Sequence, residues 1–314
     1  MLRRPLETAL WQSLSEQQIF LVSPWTARIS DGPAATVTTH VPDKHYFRGS
    51  FGGKDVVPLY RDAAATEPNI THGLLDALAG TYGDTVSPED FLAYCYAVIA
   101  HPAYTTVFAE PLEASPVRVP ITSEPALFWR AVDVGRDLLW LHTYGSRYTG
   151  PTRPAHNVPR RDDLVWLEPV TKIPGTTKDL SYNEDARQLH VGDGIVSGVT
   201  PQVREFSVSG MNIIDKWLGA RTAKGIGKAS QKTATPLDKI RPTEWEDEWN
   251  DELLDLLRVL TATANTYPEQ AELLDDILAA NQITVTDLPT PTDTERHVPK
   301  TNRTPPAAKG LFEP

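Results

Sequence analysis

The run Phe91–Ala100 (FLAYCYAVIA) constrains the chain more than any other stretch, because ten consecutive residues are apolar or aromatic and none is charged. Ser87-Pro88-Glu89-Asp90 precedes it and supplies a helix N-cap, a first-turn proline and two acids where the helix dipole favours them. The stretch therefore reads as a helix. A helix that is apolar all round has no face to give to water and must lie inside a core. With 314 residues, 40% hydrophobic content and eight Trp, the chain has enough apolar material to bury it.

Around this helix the pattern changes along the chain. Residues 1–60 read as β-rich, with short strands at Ile19–Val22, Ala34–Val41, Tyr46–Phe51 and Val56–Tyr60, separated by Asp31-Gly32-Pro33 and Gly52-Gly53. Residues 61–150 read as helical. There Ser123 caps a second run through Phe128, Val132, Leu138, Leu139 and Leu141, and Gly135 inside that run points to close helix packing. Residues 151–242 return to strands after the proline-rich connector Pro151–Asp163. They comprise Leu164–Leu167, a hairpin from Leu180 through Asn183-Glu184-Asp185 to Leu189–Val191, and a short helical turn from Thr200-Pro201. Over 243–285 a capping box at Thr243 and Glu246, with Trp245, Trp249, Leu253, Leu256 and Leu260 at helical spacing, predicts one helix. Pro268 is expected to start a second, antiparallel helix. Residues 286–314, dominated by Pro, Thr and Lys, read as a disordered tail. The expected class is α+β.

Several chemistries are excluded or weakly supported. The single Cys95 falls within the apolar run, so it reads as a buried hydrophobe with no cysteine to pair with, and a reducing cytoplasm is the expected compartment. No stretch has the length of a membrane span, and the N-terminus lacks the apolar core of an export signal. Gly225-Ile226-Gly227-Lys228 looks superficially like a phosphate-binding loop, but Thr222 and Ala229 stand where that pattern needs Gly and Ser or Thr. The adenine-methyltransferase signature Asn-Pro-Pro-Tyr is missing. His40, Asp43 and His45 allow a metal-dependent nuclease as an alternative, although a metal site needs three or four ligands and no convincing Glu-x-Lys partner follows.

One local feature opposes the overall charge. From Lys216 to Arg241 there are seven Lys/Arg against one acid, Asp238, a local +6 in a chain of net −11. Charge alone is equally compatible with a solvated loop. The basic segment follows a helix expected over Gly210–Leu218, capped by Ser209 and left through Gly219, with Ile213, Ile214, Trp217 and Leu218 on one face.

Five segments, in this order, carry a resemblance: PLYRD (Pro58–Asp62), YAVIAHPAYTTVFAEPL (Tyr96–Leu112), GRDLLWLH (Gly135–His142), VTPQVREFSVSG (Val199–Gly210) and IIDKWLGAR (Ile213–Arg221). Together they resemble the C-terminal target-recognition region of type ISP restriction-modification enzymes over roughly residues 1–280. The chain departs from that pattern at Met211 and in the lysine-bearing loop Ala223–Thr235.

The resemblance implies a region that reads DNA sequence beside a nuclease, a helicase-like ATPase and an N6-adenine methyltransferase, and the chain starts where such a methyltransferase would end. It implies no cofactor in this chain; S-adenosylmethionine, ATP and Mg²⁺ would belong to the missing catalytic parts. The implied partner is double-stranded DNA, with a separate methyltransferase, helicase or nuclease polypeptide as a further candidate. Lysine and arginine would hold phosphates while other side chains read base edges. The candidate phosphate contacts are Lys216, Arg221, Lys224, Lys228 and Lys232, then Arg48, Arg153, Arg160 and Arg161. Tyr60, Arg61, Ser209 and Trp217 belong to the family-like motifs and are expected to be structural. An interaction module docking through the acidic helix that bears Trp245 and Trp249 is the competing reading.

Overall fold

The computed structural model describes residues 5–25, 28–43, 46–47, 55–114, 117–226 and 242–297. A helix α1 (Pro5–Gln12), which the sequence reading missed, precedes an antiparallel sheet of β1 (Phe20–Val22), β2 (Thr36–Thr38) and β3 (Val56–Pro58) in the order β2-β1-β3. Leu21 lies opposite both Val37 and Val57. The strand expected at Tyr46–Phe51 is not one: Tyr46 and Phe47 lie in a bend, and residues 48–51 fall outside the described residues.

Five helices follow: α2 (Leu74–Tyr82), α3 (Pro88–Ile99), α4 (Pro102–Val107), α5 (Ala109–Ala114) and α6 (Pro125–His142). The apolar run is α3. Its capping box is formed, with Asp90 N donating to Ser87 Oγ and Ser87 N donating to the Asp90 carboxylate, both at 3.1 Å. Its Tyr94, Tyr96, Ala97, Val98 and Ile99 are buried, and each large side chain so buried contributes about 2 kcal/mol. α6 crosses α3 so closely that a Cβ at Gly135 would come within 1.9 Å of the Ala93 carbonyl oxygen. Ser123 does not cap α6. Its backbone and hydroxyl both donate to Asn281 O, while the Glu124 amide turns to Thr122 Oγ1.

The second sheet is fully antiparallel, formed by β4 (Val165–Glu168), β5 (Leu180–Asn183), β6 (Gln188–Val191) and β7 (Gly194–Ser197) in the order β4-β7-β6-β5. The hairpin matches its expected place, and β7 extends it into a meander. Then come α7 (Pro201–Arg204), the two-residue pair β8 (Ser207–Val208) and β9 (Met211–Asn212), α8 (Ile213–Ala220) and α9 (Ala223–Ile226). The fold is α+β.

The expected C-terminal helix pair is instead one helix, α10 (Asp247–Ala279), of 33 residues with Pro268 in its interior. Proline there removes one backbone hydrogen bond and crowds the preceding turn. The chain nevertheless continues because α10 is buried on both sides of the proline. Leu253, Leu256, Leu257 and Leu260 enter a core with the second sheet, α7 and α8, whereas Leu273, Leu274 and Ile277 enter a core with α2, α3, α6 and the first sheet. At 1.5 Å per residue it is a beam about 50 Å long shared by two cores. The capping box expected at Thr243 and Glu246 is absent; Glu246 occupies the N-cap without a side-chain bond.

The segment after α10 is not a free tail over its described length. Ile283 N donates to Ile121 O at 2.8 Å, the Glu295 carboxylate accepts from His72 N at 2.7 Å, and the Arg61 guanidinium donates to His297 O at 2.6 Å. The His72 amide, with the Thr292 hydroxyl and amide, holds the Glu295 carboxyl down at about 2. Residues 298–314 lie outside the described residues. No helix among the described residues is long and apolar enough to cross a membrane.

Candidate nucleic-acid interface

The helix that leads into the charge reversal begins three residues later than its sequence suggests. Ser209 sits at φ 46° in the β8–β9 turn, with its amide donating to Pro33 O at 2.9 Å and its hydroxyl accepting from Ser30 N at 3.3 Å. It therefore ties the turn to the first sheet's connection. The N-cap of α8 is Asn212, whose Oδ1 accepts from Asp215 N at 2.9 Å. Ile214 and Leu218 are buried, and Ile213 and Trp217 half-buried. Lys216 consequently lies in the first half of α8 rather than in its last turn, and it is exposed.

The loop 171–179 builds the rest of the surface. Ala223 N donates to Pro174 O at 2.8 Å and Lys224 N to Gly175 O at 3.2 Å, which seats the start of α9 on this loop. The Thr177 methyl would meet a Cβ on Gly219 at 3.6 Å, so the loop also runs along α8 on the side of Lys216, three residues from Gly219. Lys178, next to Thr177, and Lys172, two residues before Pro174, therefore lie on the loop that seats α8 and α9, the elements that carry Lys216 and Lys224. All four are exposed, and none is ion-paired to a described residue. The nearby acids are committed to backbone: Asp179 accepts from Thr176 N at 3.0 Å, and Asp193 accepts from the Thr171 amide and hydroxyl and from Lys172 N. The Thr171 hydroxyl, with those amides, holds the Asp193 carboxyl below its ordinary range. The result is a lysine ridge. Lys172 and Lys178 escaped the sequence reading because only the tertiary contact with α8 and α9 adds them to the later basic segment.

The arginines among the candidates behave differently. Arg221 donates to Glu252 at 2.6 Å and to Trp217 O at 3.2 Å, and its guanidinium lies 4.0 Å from the Trp217 ring centre and 5.6 Å from that of Trp249. It clamps α8 to α10. Arg153 pairs with Asp137 at 2.6 Å on the side of α6, and Arg161 makes a two-pronged bond to Asp163 at 2.9 and 2.7 Å. Arg160 is exposed with no ion pair to a described residue. No hydrogen bond or ion pair links these three connector arginines to the ridge. Lys228, Lys232 and Arg48 lie outside the described residues. Gly225 has a packing role, since a Cβ there would fall 1.8 Å from Gly219 O.

The competing sites are also placed. Trp245 is 6% exposed and donates to Asn250 Oδ1, whose amide group in turn bonds Val170 N and O, so Trp245 is a core residue. His40 is exposed and bonds Thr39 Oγ1, whereas His45 lies outside the described residues. Among the described residues no group of three His, Cys, Asp or Glu is positioned to hold a metal ion. Burial pushes the Cys95 thiol up to about 12, far from a reactive thiolate. In the PLYRD motif, the Gln18 side chain bonds both Tyr60 N and Tyr60 O, the Tyr60 hydroxyl donates to Glu89, and Asp62 caps its own turn.

Fold and surface together give an α+β module that presents Lys172, Lys178, Lys216 and Lys224, without ion pairs to described residues, along α8, α9 and the loop 171–179. Residues 1–256 match the Type ISP C-terminal specificity domain family, and the chain belongs to that family. No curated protein matches it in sequence. Similar solved structures include the DrdV–DNA complex, at 20% identity and TM-score 0.52 over 84% of this chain and 25% of that one. Another is the ATP-dependent Type ISP restriction-modification enzyme LlaBIII bound to DNA, at 17% identity and TM-score 0.49 over 83% of this chain and 16% of that one. The chain thus spans a quarter or less of the length of these relatives.

Proposed function

We propose that this chain is the sequence-specific DNA-recognition module of a restriction-modification system, with the lysine ridge as its phosphate-holding edge. The observation that carries this reading is the convergence of Lys172, Lys178, Lys216 and Lys224, without carboxylate partners, on a chain of net charge −11 that belongs to a specificity-domain family. Phosphate contacts of this kind position a protein on duplex DNA and make binding salt-dependent. Lys228 and Lys232 continue the same segment and join the proposed set, and Arg160 is a candidate at a second point. Arg221, Arg153 and Arg161 would have to leave carboxylates to take part, so they rank below the lysines. Arg48 remains a candidate by its sequence alone.

In this reading the module works in the cytoplasm and supplies specificity. S-adenosylmethionine, ATP and Mg²⁺ serve the methyltransferase, ATPase and nuclease parts it acts with, in the same polypeptide or a separate one. Gel shifts of the full chain over a salt series test it. Lys216→Glu with Lys224→Glu is expected to lower affinity at least tenfold and flatten the salt slope by about two, at roughly one unit per phosphate contact. Stability should stay within about 0.5 kcal/mol, as for exposed surface changes. Salt-steep binding that survives the double reversal would place the DNA elsewhere.

A further inference from the structure

The outer face of the β5–β6 hairpin is an unassigned polar surface beside the ridge. Register pairs Ser181 with His190 and Asn183 with Gln188. Their strand neighbours Leu180, Tyr182, Leu189 and Val191 turn into the second core, so the alternation of a strand sends these four outward. Ser181 and Asn183 are exposed, Gln188 and His190 half-exposed. The side chains of Ser181, Gln188 and His190 make no hydrogen bond to a described residue, and Asn183 uses only its Oδ1, accepting from Ala186 N at 3.1 Å. A hydroxyl, two amides and an imidazole thus stand largely unspent in one strip. β5 is an edge strand, and Lys178 lies two residues before it begins.

Resting on the DNA-binding reading above, we infer that this hairpin is the base-reading ribbon: with phosphates on the lysine ridge, Ser181, Gln188 and His190 face base edges in the major groove. That groove admits a two-stranded ribbon, and β5 with β6 forms the open edge of the four-stranded sheet. Outward side chains two residues apart on one strand are separated by about 6.7 Å, twice the ~3.4 Å rise per base pair. Gln188 and His190 therefore address base pairs two steps apart, and Ser181, directly opposite His190, addresses the same step as its partner. Amide and hydroxyl side chains carry the donor and acceptor pairs that distinguish bases. The hairpin turn carries Glu184 and Asp185 together with the exposed Arg187, so its tip is only weakly acidic. Beyond the hairpin the same face continues through Ile195 and Ser197 on β7 and Val165 and Glu168 on β4, where the Ser197 hydroxyl is already turned to Asp163 O.

Selection of bound duplexes from a randomised pool, using the full chain, tests this. The unaltered chain is expected to enrich a defined sequence. Gln188→Ala with His190→Ala should lose at least tenfold of that preference at two positions, while affinity for random duplex changes less than about threefold and the melting temperature is unchanged. Ser181→Ala should relax one of the same two positions. Equal enrichment by the double variant overturns the inference and leaves the DNA-binding reading standing, as does salt-dependent binding with no preference in the unaltered chain. Absence of any binding refutes that reading first. A chain that sediments as a dimer and becomes a monomer in the double variant makes the strip a protein interface, which also overturns the inference.

Discussion

In the helical half of the molecule, three arginines are used on the protein itself. Arg136 binds Asp90 at 2.5 Å, Arg130 binds Asp276 at 2.8 Å and Arg153 binds Asp137 at 2.6 Å. Along α8, α9 and the loop 171–179, Lys172, Lys178, Lys216 and Lys224 have no such partners, and the acids beside them accept from backbone amides instead. The two halves share a helix, and each has its own core. What separates them is where positive charge is left for another molecule, which a count of lysines and arginines does not reveal.

The helical glycines sharpen this contrast, and the largest effect is expected in the helical half. Gly135→Ala forces a methyl into the Ala93 carbonyl of α3. We expect a loss of about 3 kcal/mol in urea unfolding, at the upper end for overpacking; a loss below 1 kcal/mol would mean that α3 and α6 separate easily.

Next comes acid. Neutral His142 bridges Tyr96 and Thr263 at 2.6 and 2.7 Å, and burial lowers its pKa from 6.5 to about 4. Burial likewise lowers His101 to about 4, with the Val98 carbonyl partly opposing it. Below pH 6.5 the unfolded chain binds protons that the folded chain refuses. Stability should therefore be full above pH 6.5 and decline as pH falls towards 4, by about 3 kcal/mol for His142. His142→Gln should flatten that profile, and an unchanged slope in the variant would assign the acid sensitivity elsewhere.

Arg221→Ala should cost about 1 kcal/mol through the lost ion pair and the Trp217 contact, with DNA affinity changed less than threefold. If it instead weakens DNA as much as Lys216→Glu does, Arg221 is a phosphate contact and not a clamp. The smallest effect is expected from Gly219→Ala on α8, where a Cβ finds only the Thr177 methyl at 3.6 Å. Helix propensity should then stabilise by up to about 1 kcal/mol.

Much of this architecture was legible in advance because it rests on local chemistry. The capping box of α3, the close packing at Gly135 and the hairpin around Asn183-Glu184-Asp185 follow from residue types at fixed spacing. Three of the misses share one cause. Ser209 has the chemistry of an N-cap, but its hydroxyl is taken by Ser30, 179 residues away in sequence, and the cap passes to Asn212. Ser123 is drawn off by Asn281 in the same manner. Pro268 has the chemistry of a helix start, but burial in two cores at once carries α10 through it.

The sequence by itself determined that Phe91–Ala100 is a buried helix, that the chain is α+β and that Lys216–Arg241 reverses the overall charge, since each depends only on neighbouring side chains. Tertiary structure alone decided that Arg221 is held between tryptophans and Glu252, and that Lys172 and Lys178 stand with Lys216 and Lys224. An ion pair or a charged ridge is a matter of distances in space, and those were set by the packing of α8, α9 and the loop 171–179, not by their order in the chain.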